Sequence, residues 1–134
     1  SSAASDVYKR QMEESPFTDV GRDDPLFEKL VALAKTRAIV FTDNKLRLDD
    51  KMTVGELAML LAPRDEALSR RVAQLRKTGK AGPYDGAMSY CRENGLIDAS
   101  AKAEDAVTKL PDVMFDKATD FTRRNVYAAY KMEE

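Results

Sequence analysis

Histidine and tryptophan are absent from this chain, and cysteine occurs once. Without histidine there is no side chain whose ordinary titration falls near neutrality, and Ser-His and Cys-His catalysis are excluded with it. The commonest metal ligand is missing too, so an enzyme built on this sequence would have to work with carboxylates or lysine. Cys91 alone excludes an internal disulfide, and its place in the apolar pattern of a helix assigns it to the interior as a small hydrophobe. No apolar run approaches the roughly 18 residues of a membrane span, which predicts no membrane insertion. The region of Gly79 and Gly82 has no phosphate-cradling pattern, and no secretory signal is visible. Neither sign of charge prevails: 22 basic residues face 23 acidic ones. No overall field therefore draws the chain to nucleic acid or an anionic membrane, and partners have to be recognised locally.

What is present is the composition of a soluble globular domain. Of 134 residues, 43% are apolar and 34% charged, close to ordinary usage, and the length suffices for a core. The stretch Asp43 to Ala62, DNKLRLDDKMTVGELAMLLA, organises the rest. It reads as a polar loop, a short extended piece at Leu46 to Leu48, and a helix opening at Thr53. Thr53 followed three positions on by Glu56 forms a capping box, in which each side chain satisfies a backbone donor at the helix start. Losing such a cap costs about 1 kcal/mol. Leu57, Leu60 and Leu61 share one face at helical spacing and demand burial.

Along the chain, Ser1 to Gln11 (SSAASDVYKRQ) has no hydrophobic period and resembles a translated sequencing adapter, so residues 1–15 are expected to contribute no packed structure and the chain is expected to be a fragment. Ser15 to Val20 is an extended lead-in in which Phe17 and Val20 pack and Asp19 holds a turn or helix end. Asp24 stands as N-cap and Pro25 as first residue of a helix carrying Leu26, Phe27, Leu30, Val31, Leu33 and Ala34, after which Ala38 to Phe41 leave as an apolar exit strand. Pro63 breaks the chain. Arg64 to Lys80 is again helical, with Leu68, Val72 and Leu75 on one side and Arg70, Arg71, Arg76 and Lys77 elsewhere; such a basic helix could touch an anionic polymer, a wall polysaccharide or a nucleic acid, but a solvated face accounts for these cations better, and the lack of aromatics argues against single-stranded nucleic acid. A helix from about Tyr84 to Asn94 buries Ala87, Met88, Tyr90 and Cys91 and ends at Gly95. A short helix is expected over Ala103 to Leu110, and a last one follows Thr122, with Asn125 in the place of the capping-box acid and Val126, Tyr127, Ala129 and Tyr130 packing inward.

Pro25 to Ala62 and Pro83 to Tyr130 thus share an order: helix, exit containing isoleucine, polar loop, Thr-capped apolar helix. Such self-similarity points to units that cannot bury their faces alone. The fold class expected is mainly α, with tandem helix-loop-helix repeats at residues 16–63 and 82–132, joined by a connecting helix in 64–81 and packed around a shared core, with short extended segments.

At these residues the chain resembles the S-layer homology family. FTDV at Phe17 to Val20, DPLFEKLVALAKTRAI at Asp24 to Ile39 and the DNKLRLDD loop with its helix are similar to that family's opening FxDV, first helix, DGxFxPxxxxTRAE loop and second helix. PYDGAMSYCRENGLI at Pro83 to Ile97 and DKATDFTRRNVYAAY at Asp116 to Tyr130 look like a second copy. The resemblance implies helical repeats, commonly three, sharing a core, and non-covalent attachment of exported bacterial proteins to anionic cell-wall polysaccharide. It implies an extracellular, cell-wall location and a non-catalytic role. The family's TRAE arginine is thought to meet the sugar; here the first copy reads Thr53-Val54-Gly55-Glu56, without arginine, and the second Thr122-Arg123-Arg124-Asn125, without the acid. Thr122, Arg123, Arg124, Thr53 and Glu56 are therefore the expected ligand-binding residues, with no catalytic residue, cofactor or metal. A calcium site at Asp43, Asp49 and Asp50 is not expected, because the alternating ligands and central glycine of an EF-hand loop are missing. The expected partner is cell-wall polysaccharide or another envelope protein. Two other readings compete: a structural or protein-interaction domain that has lost the sugar site, and an accessory fragment of a larger secreted enzyme.

Overall fold

The computed structural model describes residues 16–39, 43–63, 66–79 and 82–132. Among them are five helices: α1 (Phe27–Lys35), α2 (Val54–Leu61), α3 (Glu66–Lys77), α4 (Asp85–Glu93) and α5 (Arg123–Ala129). Extended backbone contributes isolated bridges there, joining Lys51 to Thr122, Thr53 to Ala106 and Phe115 to Tyr130. The chain is mainly helical, as its periodicity predicts.

The helices α1 and α4 are each nine residues long and end in the same way. After α1, the Arg37 N–H donates to Ala34 O at 3.0 Å and the Ala38 N–H to Leu33 O at 2.9 Å. After α4, the Gly95 N–H donates to Arg92 O at 3.3 Å and the Leu96 N–H to Cys91 O at 2.9 Å. Both are Schellman closures, in which a residue in the left-handed region lets the chain turn back onto the last carbonyls. Gly95 takes this conformation freely at φ 70°, whereas Arg37 takes it at φ 62° against the steric preference of its Cβ, at a cost of about 1 kcal/mol.

The helices α2 and α5 share their beginning. Thr53 and Thr122 are extended N-caps whose hydroxyls accept the backbone N–H three residues on, from Glu56 and Asn125. In α2 the box is complete, because Glu56 returns to the Thr53 backbone. The start of α1 differs from expectation. Asp24 is not its N-cap: the helix begins at Phe27 behind Leu26, and Asp24 instead accepts the Leu26 N–H at 2.9 Å through its side chain. Pro25 lies in that preceding turn.

Three further expectations are corrected. Leu46 and Leu48 are both buried, but the piece between them is not extended, because Arg47 has φ 49° and turns the chain. Asp19 holds that turn by accepting the N–H groups of Leu46 at 3.0 Å and Arg47 at 2.8 Å. Residues Ala103 to Leu110 form no helix. Their backbone is spent elsewhere: Asp105 O and Ala103 O accept from the Val54 and Gly55 N–H groups, and the Val107 N–H donates to Met52 O. Of the expected exit strand, Ala38 and Ile39 are buried without forming a strand, and its remainder, 40–41, lies outside the described residues, as do the tail 1–15 and the ends of the expected 64–80 helix.

One core cluster collects the buried side chains of all parts, including Leu30 of α1, Leu57 of α2, Met88 and Cys91 of α4 and Val126 of α5. The Cys91 thiol lies 3.7 Å from Ala58 O in the interior. α4 packs against both α2 and α3, while Leu68, Val72 and Leu75 of α3 are only partly buried. The contact between α3 and α4 is close at Gly86, where a Cβ would come within 2.5 Å of Val72.

A core common to both halves predicts that Leu30→Ala, at a fully buried site, costs about 2 to 5 kcal/mol. Urea unfolding followed by far-UV and by tyrosine near-UV circular dichroism is expected to show one coincident, shifted transition; two separate transitions would contradict a shared core.

Candidate functional site

The starts of α2 and α5 are brought together by the loops that precede them. The orphan donors of α5 go to the loop ahead of α2: Arg123 N–H to Asp50 O and Arg124 N–H to Leu48 O, each at 2.9 Å. The orphan donors of α2 go to the segment between α4 and α5, with Val54 N–H to Asp105 O at 2.8 Å and Gly55 N–H to Ala103 O at 2.9 Å. Each helix thus has its first two N–H groups satisfied by carbonyls two residues apart in a distant loop. The Met52 N–H donates across to Phe121 O at 2.9 Å and ties the two approaches side by side.

Four of the five expected site residues, Thr53, Glu56, Thr122 and Arg123, meet at this junction. The Arg123 guanidinium forks onto Glu56, with Nε at 2.6 Å from Oε2 and Nη2 at 2.8 Å from Oε1. Bidentate geometry of this kind is the strongest form of the Arg-carboxylate pair. Arg123 Nη1 also donates to Arg47 O at 3.2 Å and stands 3.7 Å from Asp50. Glu56 Oε1 further accepts the Thr53 N–H at 3.3 Å and the Thr53 hydroxyl at 3.0 Å. The bond to Glu56 raises the Arg123 pKa above its ordinary value. Glu56 of α2 and Arg123 of α5 thus hold the two helix starts together.

Arg124, the fifth residue, points away from the junction. It holds Asp24 with Nη1 to Oδ1 at 3.2 Å and Nη2 to Oδ2 at 3.0 Å, fastening the turn before α1 to the first turn of α5. The Arg124 hydrogen bond, joined by the Leu26 N–H, holds the Asp24 carboxyl below its ordinary pKa of 3.8. At Asp19 burial alone would raise the pKa, but the N–H groups of Leu46 and Arg47 outweigh it and the net direction is down.

Two tyrosines back the junction, and sequence reasoning missed their part in it. Tyr127, one turn beyond Arg123, is 1% exposed, and burial followed by the Glu56 charge pushes its phenol well above the ordinary tyrosine value. Tyr84 is half-buried, raised for the same reasons, and its ring lies against Gly55, where a Cβ would sit 2.8 Å from the ring. A glycine in a helical first turn, costing about 1 kcal/mol relative to alanine, was the available signal of such a close approach.

The junction is an intramolecular fastening. The guanidinium faces a carboxylate, a backbone carbonyl and a second carboxylate, so an incoming anion would have to displace Glu56 while repelled by Asp50. Two clefts of about 500 and 590 Å³ lie elsewhere, one between α2 and residues 96–111, the other around Met59, Met114 and Tyr130, and Arg123 lines neither. Among the described residues, no group of three or more Asp, Glu and Cys side chains is placed to hold a metal. Asp43 pairs with Arg47. No helix among them is long and apolar enough to cross a membrane.

Arg123→Ala leaves a Glu56 side chain that is 8% exposed without its partner, and is expected to cost about 3 kcal/mol, near the lower end for breaking a buried pair. A double-mutant cycle with Glu56→Gln in urea should return a coupling above about 1 kcal/mol, and additive losses would refute the lock. Because the folded pKa values of Asp19 and Asp24 are depressed, their contribution is present above the unfolded values and disappears as pH falls through the folded ones. Asp24→Asn should therefore flatten the decline of the unfolding midpoint between about pH 5 and about pH 2; parallel curves for the two proteins would exclude this role. Comparison with known protein families, curated proteins and solved structures finds no match to this chain.

Proposed function

We propose that this chain is a non-catalytic cell-envelope module, similar to S-layer homology domains, that helps attach an exported bacterial protein to anionic cell-wall polymer. One observation carries the reading: the same capping order occurs twice. A nine-residue helix with a Schellman closure precedes a helix capped by Thr53, and a second nine-residue helix with the same closure precedes the one capped by Thr122. We read these as two repeats, α1 with α2 and α4 with α5, with α3 between them, each lending carbonyls to the other's Thr-capped helix. This is the paired organisation that the sequence resemblance implies.

The Glu56 contact favours a specific version of this function. With Arg123 engaged by Glu56, the junction serves as the fastening between repeats, and polymer contact falls to another surface. If no such surface exists, the module is a protein-interaction domain, the second reading that the same ion pair supports.

The test is retention on purified Gram-positive cell wall before and after its anionic polysaccharide is removed. Strong retention on intact wall and loss on stripped wall is expected; equal retention on both would exclude polysaccharide attachment and leave the protein-interaction reading. Arg123→Lys, which keeps the charge but loses the fork, should reduce retention only as far as it reduces the folded fraction.

A further inference from the structure

Among the described residues, two large apolar side chains stand out in solvent: Val113, 87% exposed, and Met132, 38% exposed. Both line the same cleft, the one of about 590 Å³ around Met59, Met114 and Tyr130, one wall of which is the end of α2. Lys131 is the one charged side chain in its lining, whereas the cleft against residues 96–111 carries Asp98, Asp105 and Lys109. A surface of this kind, poor in charge and rich in methionine, has the composition of an interface core, and thioethers adapt to the shape that enters. Its walls are held firmly. The Lys131 N–H donates to Met114 O at 2.9 Å and the Asp116 N–H to Ala129 O at 2.8 Å. The Phe115 and Tyr130 rings lie 5.4 Å apart between centroids, and the Tyr130 hydroxyl donates to Leu60 O at 3.4 Å. Val113 is therefore a projection on a fixed base beside a fixed hollow.

We propose that this face docks a second copy of the chain, in a two-fold pair in which Val113 of each copy enters the cleft of the other. Two features of the surface select this occupant. The first is shape: a knob and a hollow lie side by side, and a two-fold axis near their common rim satisfies both at once, since every contact of an isologous interface is made twice. The second is charge. Asp112, next to the knob, is exposed and forms no ion pair among the described residues. Lys131, in the hollow, stands 3.7 Å from Asp116 in a pair open to solvent on both sides, which holds it weakly. The knob thus brings a carboxylate to a hollow that offers a cation, and the face meets its own copy with opposite charges together. A single cation already shared with Asp116 gives a polyanion little to hold. The face is small, so the pair is expected to be weak and exchanging, at the low end of interface sizes. This pairing does not depend on the envelope reading.

Sedimentation equilibrium of the full chain from about 5 µM to about 1 mM tests it, a range that brackets weak protein pairs. The mass is expected to rise from 15.0 kDa towards twice that value. With labelled methionine methyl groups, the NMR signals of Met59, Met114 and Met132 should shift with concentration while those of the buried Met52 and Met88 stay in place. Val113→Asp, at a site too exposed to disturb the fold, should weaken pairing at least about tenfold. Asp112→Lys and Lys131→Glu should each weaken it alone, because each sets like charges against one another twice. An equimolar mixture of these two variants should restore it, since the heterodimer contains only opposite-charge contacts. A wild type that stays at monomer mass throughout overturns the proposal. Pairing that survives Val113→Asp undiminished, or that shifts none of the three methionines, also overturns it and assigns the association to another face. A mixture that recovers nothing of what the single variants lose overturns the two-fold arrangement.

Discussion

Two helix beginnings, at Val54 and Arg123, each leave backbone donors that the helix itself cannot satisfy, and the chain meets both demands by exchange. Carbonyls before one helix serve the other, and the reverse holds through residues 103–105. A hydrogen bond of this type adds only about 1 kcal/mol net, but an unmet buried donor costs about 1 to 3, so neither half can part from the other without loss on both sides. The single apolar cluster follows from this arrangement: once the beginnings are cross-linked, Leu30, Leu57, Met88 and Val126 have no separate interiors to occupy.

The Arg123-Glu56 pair sits on top of that exchange and changes what the junction can do. A guanidinium at a helix start could meet an external carboxylate, and a glutamate in the same place competes for it from within the chain, with no loss of translational freedom. Intramolecular occupancy of this kind converts recognition chemistry into architecture.

The sequence disclosed the parts governed by local rules. Thr53 with Glu56 is a capping box because both partners lie within one turn, and Gly95 announces a left-handed closure by its missing side chain. Arg37 performs the same closure without any such mark, and the apolar run that begins at Ala38 suggests an extended exit in its place. Residues 103–110 show the opposite failure. Ala103, Ala106, Val107 and Leu110 repeat at helical spacing, and local preference favours a helix, but two of the carbonyls there are claimed by α2. Distant backbone demand overrode local propensity, and no spacing rule within the segment contains that information. The Arg123-Glu56 pair was hidden for a related reason: 67 positions separate the partners, and the spacing within either helix start says nothing of the other.

The close approach of Tyr84 to Gly55 bears on how this chain can change over generations. An alanine at position 55 would press its methyl group 2.8 Å from the Tyr84 ring and 3.0 Å from the Ala103 side chain. The ring would have to be lost or displaced before any side chain fitted there. The space over Gly55 is therefore closed to any larger residue for as long as Tyr84 and Ala103 keep their places.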